Sequence, residues 1–150
     1  MESKQDIAVS KFLKGYDCAQ AVLYSFCDDL GLEKNSALKI ACGFGGGMGS
    51  KGEVCGAVTG GIMVIGAKYG RGEEDDRTAT NLTFAKTREL MDQFTDKHGS
   101  YICRKLLNGC DLMTNEGRRV FNENDLKNEI CVSCVKSVVE ILENMLNLTG

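Results

Sequence analysis

The 150-residue sequence predicts an all-α fold, a single-domain helical bundle with a buried, glycine-rich central helix. Three observations carry that expectation. The chain contains no proline, a common helix breaker, across its whole length. Its apolar residues recur at helical spacing between glycine stops, with no strand-period alternation. One segment, from about Val54 to Tyr69, is apolar on nearly every side, as a fully buried helix is. Forty-three per cent hydrophobic and 26% charged residues describe one ordinary domain spanning 1–150, with no internal repeat or linker.

Asp6 to Leu13 reads as a short first helix, ended by Gly15. Asp17 is a good N-cap for a helix from Cys18 to about Leu30, stopped by Gly31. On that helix Ala19, Val22, Leu23, Phe26 and Leu30 share a face with Cys18 at its edge, while Cys27 points the other way. Ser36 is expected to cap a short helix to about Ala41. A glycine-dense loop follows, Gly43-Phe-Gly-Gly-Gly-Met-Gly-Ser-Lys-Gly52. Glu53 then falls in the first turn of the central helix, where a negative charge suits the dipole. Val58, Ile62, Met63, Val64, Ile65 and Ala67 are its expected buried positions. Gly56 and Gly60, one turn apart, leave a groove for close helix approach, and this groove permits a homodimer.

Gly70 to Asp76 is an acidic solvated turn. It leads into a long polar helix, about Asp76 to Lys97, with Leu82, Ala85, Leu90 and Phe94 as its sparse apolar positions. Gly99 ends it, which leaves His98 solvated at its tip. Ser100 is placed to cap a short helix from Cys103 to Leu107, closed by Asn108-Gly109. Residues 110–128 are polar and carry no clear period. The last helix, about Ile130 to Leu148, has its apolar stripe on Cys131, Val135, Val138, Leu142 and Met145, with Cys134 flanking it.

Composition narrows the function. A net charge of -3 leaves no basic footprint for nucleic acid or an anionic membrane. The N-terminus lacks a signal-peptide pattern, and the longest uncharged run, Val54 to Ala67, is well short of the ~20 apolar residues that cross a bilayer. No membrane insertion and a cytoplasmic location are therefore expected. One histidine excludes sites that need several imidazoles and leaves no Ser-His-Asp set with local support. Gly47-Met48-Gly49-Ser50-Lys51-Gly52 matches G-x-G-x-x-G, but no strand precedes it and Lys51 is not followed by Ser or Thr.

Eight cysteines are the abnormal number. In a reducing compartment they are not expected to be structural disulfides, which leaves packing, metal ligation or redox chemistry. Cys18, Cys55, Cys103 and Cys131 each stand at or near a predicted helix start, where the dipole favours thiolate, the form that ligates metal or attacks a disulfide. Cys131-Val-Ser-Cys134 is a C-x-x-C pair that opens a helix without a preceding strand, so Cys134 is a further candidate. Cys27, Cys42 and Cys110 are expected to pack.

Those residues carry a resemblance. Gly15-Tyr-Asp-Cys-Ala-Gln-Ala-Val22, Phe44-Gly-Gly-Gly-Met-Gly49, Gly52-Glu-Val-Cys-Gly-Ala-Val-Thr-Gly-Gly61, Cys103-Arg-Lys-Leu-Leu107 and Cys131 occur in order over most of the chain. Together they resemble the C_GCAxxG_C_C family of redox-active proteins, whose four cysteines fall here on Cys18, Cys55, Cys103 and Cys131. The family is also similar to part of the split-Soret cytochromes, in which an iron–sulfur centre is placed beside the haems. No CxxCH occurs, so no haem is expected.

The resulting expectation is a redox protein that passes electrons to a partner protein. Cys18, Cys55, Cys103 and Cys131, or Cys134 in place of the last, would hold a [2Fe–2S]-type cluster tuned by the Gly43–Gly52 backbone. A metal-free thiol–disulfide protein and a zinc-binding module with the same thiolates are the alternatives.

Overall fold

The computed structural model describes residues 2–147. Its order is α1 (Lys4–Leu13), α2 (Cys18–Ser25), α3 (Cys27–Leu30), α4 (Lys34–Ala41), a 3-10 turn (Cys42–Phe44), α5 (Gly56–Tyr69), α6 (Arg77–His98), α7 (Cys103–Leu106), α8 (Asn115–Glu123), a π turn (Lys127–Cys131) and α9 (Val132–Leu146). The all-α single domain is as the sequence predicts. Among the described residues the nearest thing to a sheet is one isolated antiparallel bridge, Val54 to Ile102.

Helix α5 is the centre, packed by α2 on one side and by α6 and α9 on the other. Its glycines set the distances. A Cβ added at Gly60 would stand 2.7 Å from the Ala19 carbonyl oxygen, and one at Gly61 would stand 2.8 Å from a Val138 methyl and 2.9 Å from a Leu90 methyl. The Gly56–Gly60 groove is thus filled by α2 of the same chain, and offers no surface to a second copy. Val58, Val64 and Ile65 are buried, Ile62 and Met63 partly so, and Ala67 is exposed at the outer end of α5. Among the described residues no helix is long and apolar enough to cross a membrane.

Several boundaries differ from expectation for identifiable reasons. The run from Cys18 to Leu30 breaks at Phe26, where the Ser25 hydroxyl donates to the Val22 carbonyl at 2.7 Å and competes with the helix ladder. Helix α4 starts before Ser36, because the Glu33 carboxylate accepts the amides of Asn35 and Ser36. Helix α7 is preceded by Ile102 at its cap position, and Ser100 instead accepts the Ile102 amide at 3.0 Å.

Glu53 lies outside α5. Its amide donates to Gly47 and its carbonyl accepts from Cys103 at 2.6 Å, which holds residues 53–55 extended against 101–103. In α6 only Leu90 and Phe94 are buried. Leu82 and Ala85 lie roughly 80° and 140° away from Leu90 at ~100° per residue, and both are exposed.

His98 is not solvated. Its ring stacks on Phe94 with centroids 4.5 Å apart, and Nε2 stands 2.9 Å from the Ser137 hydroxyl, tying α6 to α9. Burial, with some help from Lys97, holds its pKa below the ordinary imidazole value. Cys27 is buried and its thiol donates to the Leu23 carbonyl, whereas Cys42 is exposed where packing was expected.

Residues 110–128 form α8 and its flanks, capped by Thr114 at the Gly117 amide. With α7 they build a small second apolar cluster on Cys103, Leu107, Cys110 and Leu126, flanked by Leu112, Val120, Phe121 and Ile130. The final helix ends at Leu146 with Asn147 left-handed; Leu148, its expected end, lies outside the described residues.

Candidate functional site

One cavity gathers five cysteines. Cys18, Cys55, Cys103, Cys131 and Cys134 line a space of about 110 Å³ together with Phe12, Leu106, Leu112, Phe121 and Ile130. Each sulfur arrives by a separate local device. Cys18 is the first residue of α2, fixed by a capping box in which Asp17 accepts the Gln20 amide and Gln20 accepts the Asp17 amide. Cys55 occupies the cap position of α5. Cys103 opens α7, held by its amide bond to Glu53. Cys131 and Cys134 project one turn apart from the π turn and α9.

The glycine loop forms one wall. Gly46 and Gly47 line the cavity, with φ of +64° and +71°, a region that L side chains rarely adopt. A Cβ on Gly47 would come within 2.7 Å of the Cys103 Cβ and of the Glu53 amide nitrogen. The loop curls left-handed, with amides reaching six residues back: Gly49 to Gly43, Gly52 to Gly46 and Glu53 to Gly47. Such a curl has no strand before it and does not build a dinucleotide site.

Four of the sulfurs influence one another's protonation most strongly in two pairs, Cys18 with Cys131 and Cys55 with Cys134. The influence of Cys18 holds the Cys131 pKa below the ordinary thiol value against the opposing effect of burial, with Lys127 assisting. The influence of Cys134 does the same for Cys55, reinforced by the Ala57 and Val58 amides at the start of α5. Cys18 and Cys134 hold their protons correspondingly tightly. Burial, then the charges of Cys55 and Cys131, push Cys103 up to about 12.

Cys18 and Cys103 open α2 and α7, and Cys55 stands at the cap of α5, as the helix-start reading expects. Cys131 sits inside continuous right-handed helical backbone, not at a free helix end.

Chemically this is a soft donor set of five thiols, with one carboxylate, Asp17, in an otherwise largely apolar lining, suited to iron–sulfur, zinc or disulfide chemistry more than to hard oxygen-ligated cations. Among the described residues no three His, Cys, Asp or Glu side chains form a ready-made metal-ligand group.

A family model described as "Putative redox-active protein (C_GCAxxG_C_C)" matches residues 16–145. The chain belongs to the C_GCAxxG_C_C family. As a member of that family it is redox-active and cysteine-rich in description, and the matched span contains all eight of its cysteines. Neither a search of curated proteins nor one of solved structures finds a match. Sequence reasoning missed the part of the apolar lining formed by Leu112 and Phe121, because those residues stand in the stretch 110–128, which carries no clear period. It also missed the contact between Cys103 and the neighbourhood of Cys110, for which spacing gives no signal.

Proposed function

We propose that this C_GCAxxG_C_C protein is an electron-transfer protein whose five-thiol cavity holds a [2Fe–2S]-type cluster and passes electrons to a partner protein. The observation that carries this reading is that Cys18, Cys55, Cys103, Cys131 and Cys134, from α2, α5, α7, the π turn and α9, line one largely apolar space. A dinuclear cluster takes four thiolates, two on each iron. A single zinc ion would need four of the same sulfurs drawn round one point at ~2.3 Å.

Cys18 and Cys55 belong to every ligand set considered. The family pattern adds Cys103 and Cys131, with Cys134 as the alternative to Cys131. The mutual influence of Cys18 with Cys131 and of Cys55 with Cys134 favours Cys131 and Cys134 together, and we assign the cluster to Cys18, Cys55, Cys131 and Cys134. The cluster, when bound, supplies one-electron chemistry. The chain's own residues exclude water through Phe12, Leu106, Leu112, Phe121 and Ile130, and turn the Gly46–Gly47 backbone toward the sulfurs.

Single Cys→Ser variants, assayed for iron and acid-labile sulfide after anaerobic preparation, test the reading. Wild type is expected to carry about two of each per chain, and Cys18→Ser, Cys55→Ser, Cys131→Ser and Cys134→Ser to lose most of it. Retention by Cys134→Ser with loss in Cys103→Ser would move the fourth ligand to Cys103. Wild type that stays free of iron after reconstitution overturns the cluster. The metal-free alternative rests on the same two pairs and predicts reversible disulfide formation within them, and zinc at one per chain would identify the third.

A further inference from the structure

Beside the sulfur cavity lies a second, larger groove of about 610 Å³, lined by Leu107, Cys110, Val120 and Leu126 at its apolar floor and by Asp111 and Glu116 among its polar residues. That volume is in the range of small-molecule sites. Cys110 lines its floor, 9% exposed, with its thiol donating to the Gly117 carbonyl at 2.9 Å. The arrangement is built. Asn108 and Gly109 turn the chain with φ of +58° and +87°, and a Cβ on Gly117 would lie on top of the Asp111 carbonyl oxygen.

Leu107 lines both spaces, and Cys110 shares the outer apolar cluster with Cys103, which faces the inner cavity. The four sulfurs assigned to the cluster leave Cys103 over, so this inference rests on that assignment.

We propose that Cys103 and Cys110 form a second redox couple, a dithiol–disulfide pair that reduces a small disulfide bound in the outer groove. The Cys110 sulfur attacks one sulfur of the bound disulfide, forming a mixed disulfide and releasing one thiol. The Cys103 sulfur then attacks the Cys110 sulfur, forming the Cys103–Cys110 disulfide and releasing the second thiol. Each protein thiol gives up its proton, one to each leaving thiolate, and the two electrons stay on the released thiols, so the exchange balances without another reactant. The groove's lining holds Asp111 and Glu116 and no lysine or arginine, though Arg104 and Arg119 pair with those carboxylates from outside it. Cystamine, small against the groove's volume, serves as the probe disulfide.

Tryptic mapping reads the couple directly, because cleavage after Arg104 and Lys105 separates Cys103, on peptide His98–Arg104, from Cys110, on Leu106–Arg118. The test treats full-length, anaerobically prepared protein with cystamine. A Cys42→Ser background removes the exposed thiol. The expected result is a disulfide joining those two peptides. In Cys103→Ser, which cannot complete the second step, Cys110 should carry one trapped half-cystamine. Cys110→Ser should give neither product while keeping the iron content of the parent. Absence of the linked peptides in the parent, or an adduct in Cys103→Ser that resides on another cysteine, would overturn the couple. Iron measured on the same samples separates this from the cluster reading, which fails only if the parent itself lacks iron.

Discussion

Replacing Gly60 by alanine tests whether close contact between α2 and α5 is what brings Cys18 and Cys55 to one cavity. The new Cβ would stand 2.7 Å from the Ala19 carbonyl oxygen and 2.9 Å from its Cα, both main-chain atoms that cannot rotate aside. Overpacking of this kind costs about 1–3 kcal/mol, and the rigid neighbour places this case at the upper end. Alanine returns ~1 kcal/mol of helix propensity, leaving a net loss of about 2 kcal/mol. Gly66, on the same helix, has nothing within 4 Å of an added Cβ, so Gly66→Ala keeps only the propensity gain. At ~2–4 °C per kcal/mol for a chain of this size, Gly60→Ala should melt about 4–8 °C below wild type and Gly66→Ala a few degrees above it. Melts followed by circular dichroism, alongside iron content, make the comparison. Gly60→Ala should also load less iron, because α2 carries Cys18 away from α5. Equal or raised melting temperature in Gly60→Ala would refute the packing argument.

Cys27→Ala removes a buried thiol that donates to Leu23 but lies outside the cavity; it should lose about 1 kcal/mol in urea unfolding and leave iron content unchanged. His98 titrates below its unfolded value of 6.5 because it is partly buried, so the unfolded chain takes up the proton first as pH falls. Stability from this residue should be complete above about pH 6.5 and decline below it until the folded pKa is passed. Urea midpoints from pH 7.5 to 5 should show the decline, and His98→Gln should remove that component of it. Phe121→Ala opens the cavity's apolar lining at a half-buried position; stability should fall by only about 1–2 kcal/mol. Its visible absorbance should bleach several-fold faster in air than that of wild type. An unchanged bleaching rate would assign water exclusion to other residues.

Much of the fold was legible because its devices are local. Asp17 caps α2, Asp76 caps α6 and Gly99 ends it, and each signal acts within a turn of the residue that carries it. The glycine groove on α5 was legible as a close approach, but nothing local says whether the neighbour is another copy or the chain's own α2. The break at Phe26 depends on a serine hydroxyl choosing a carbonyl over water, which the apolar period does not report. Helix α8 was hidden because its apolar residues serve a small outer cluster and lack the long stripe of a core helix.

At the site, the sequence singled out the five cavity cysteines as candidates, and the chain's folding brings them to one space. Their protonation was not legible in the same way. Helix starts predicted four thiolates, whereas the pairing of Cys18 with Cys131 and of Cys134 with Cys55 divides the protons between partners. Pairing is a tertiary fact, set by how α2, α5 and α9 cross, and no spacing in the chain encodes it. Cys110 packs, as its sequence context predicts, in the small outer cluster with Cys103, Leu107 and Leu126 that forms once α8 folds over residues 107–111.

Diffraction from anaerobically grown crystals, recorded on both sides of the iron absorption edge, addresses the central assignment most directly. Two anomalous peaks inside the cavity are expected, one bonded to the sulfurs of Cys18 and Cys131 and the other to those of Cys55 and Cys134. A solitary peak ringed by four sulfurs, or a cavity with no anomalous signal and disulfides across the pairs, would contradict it.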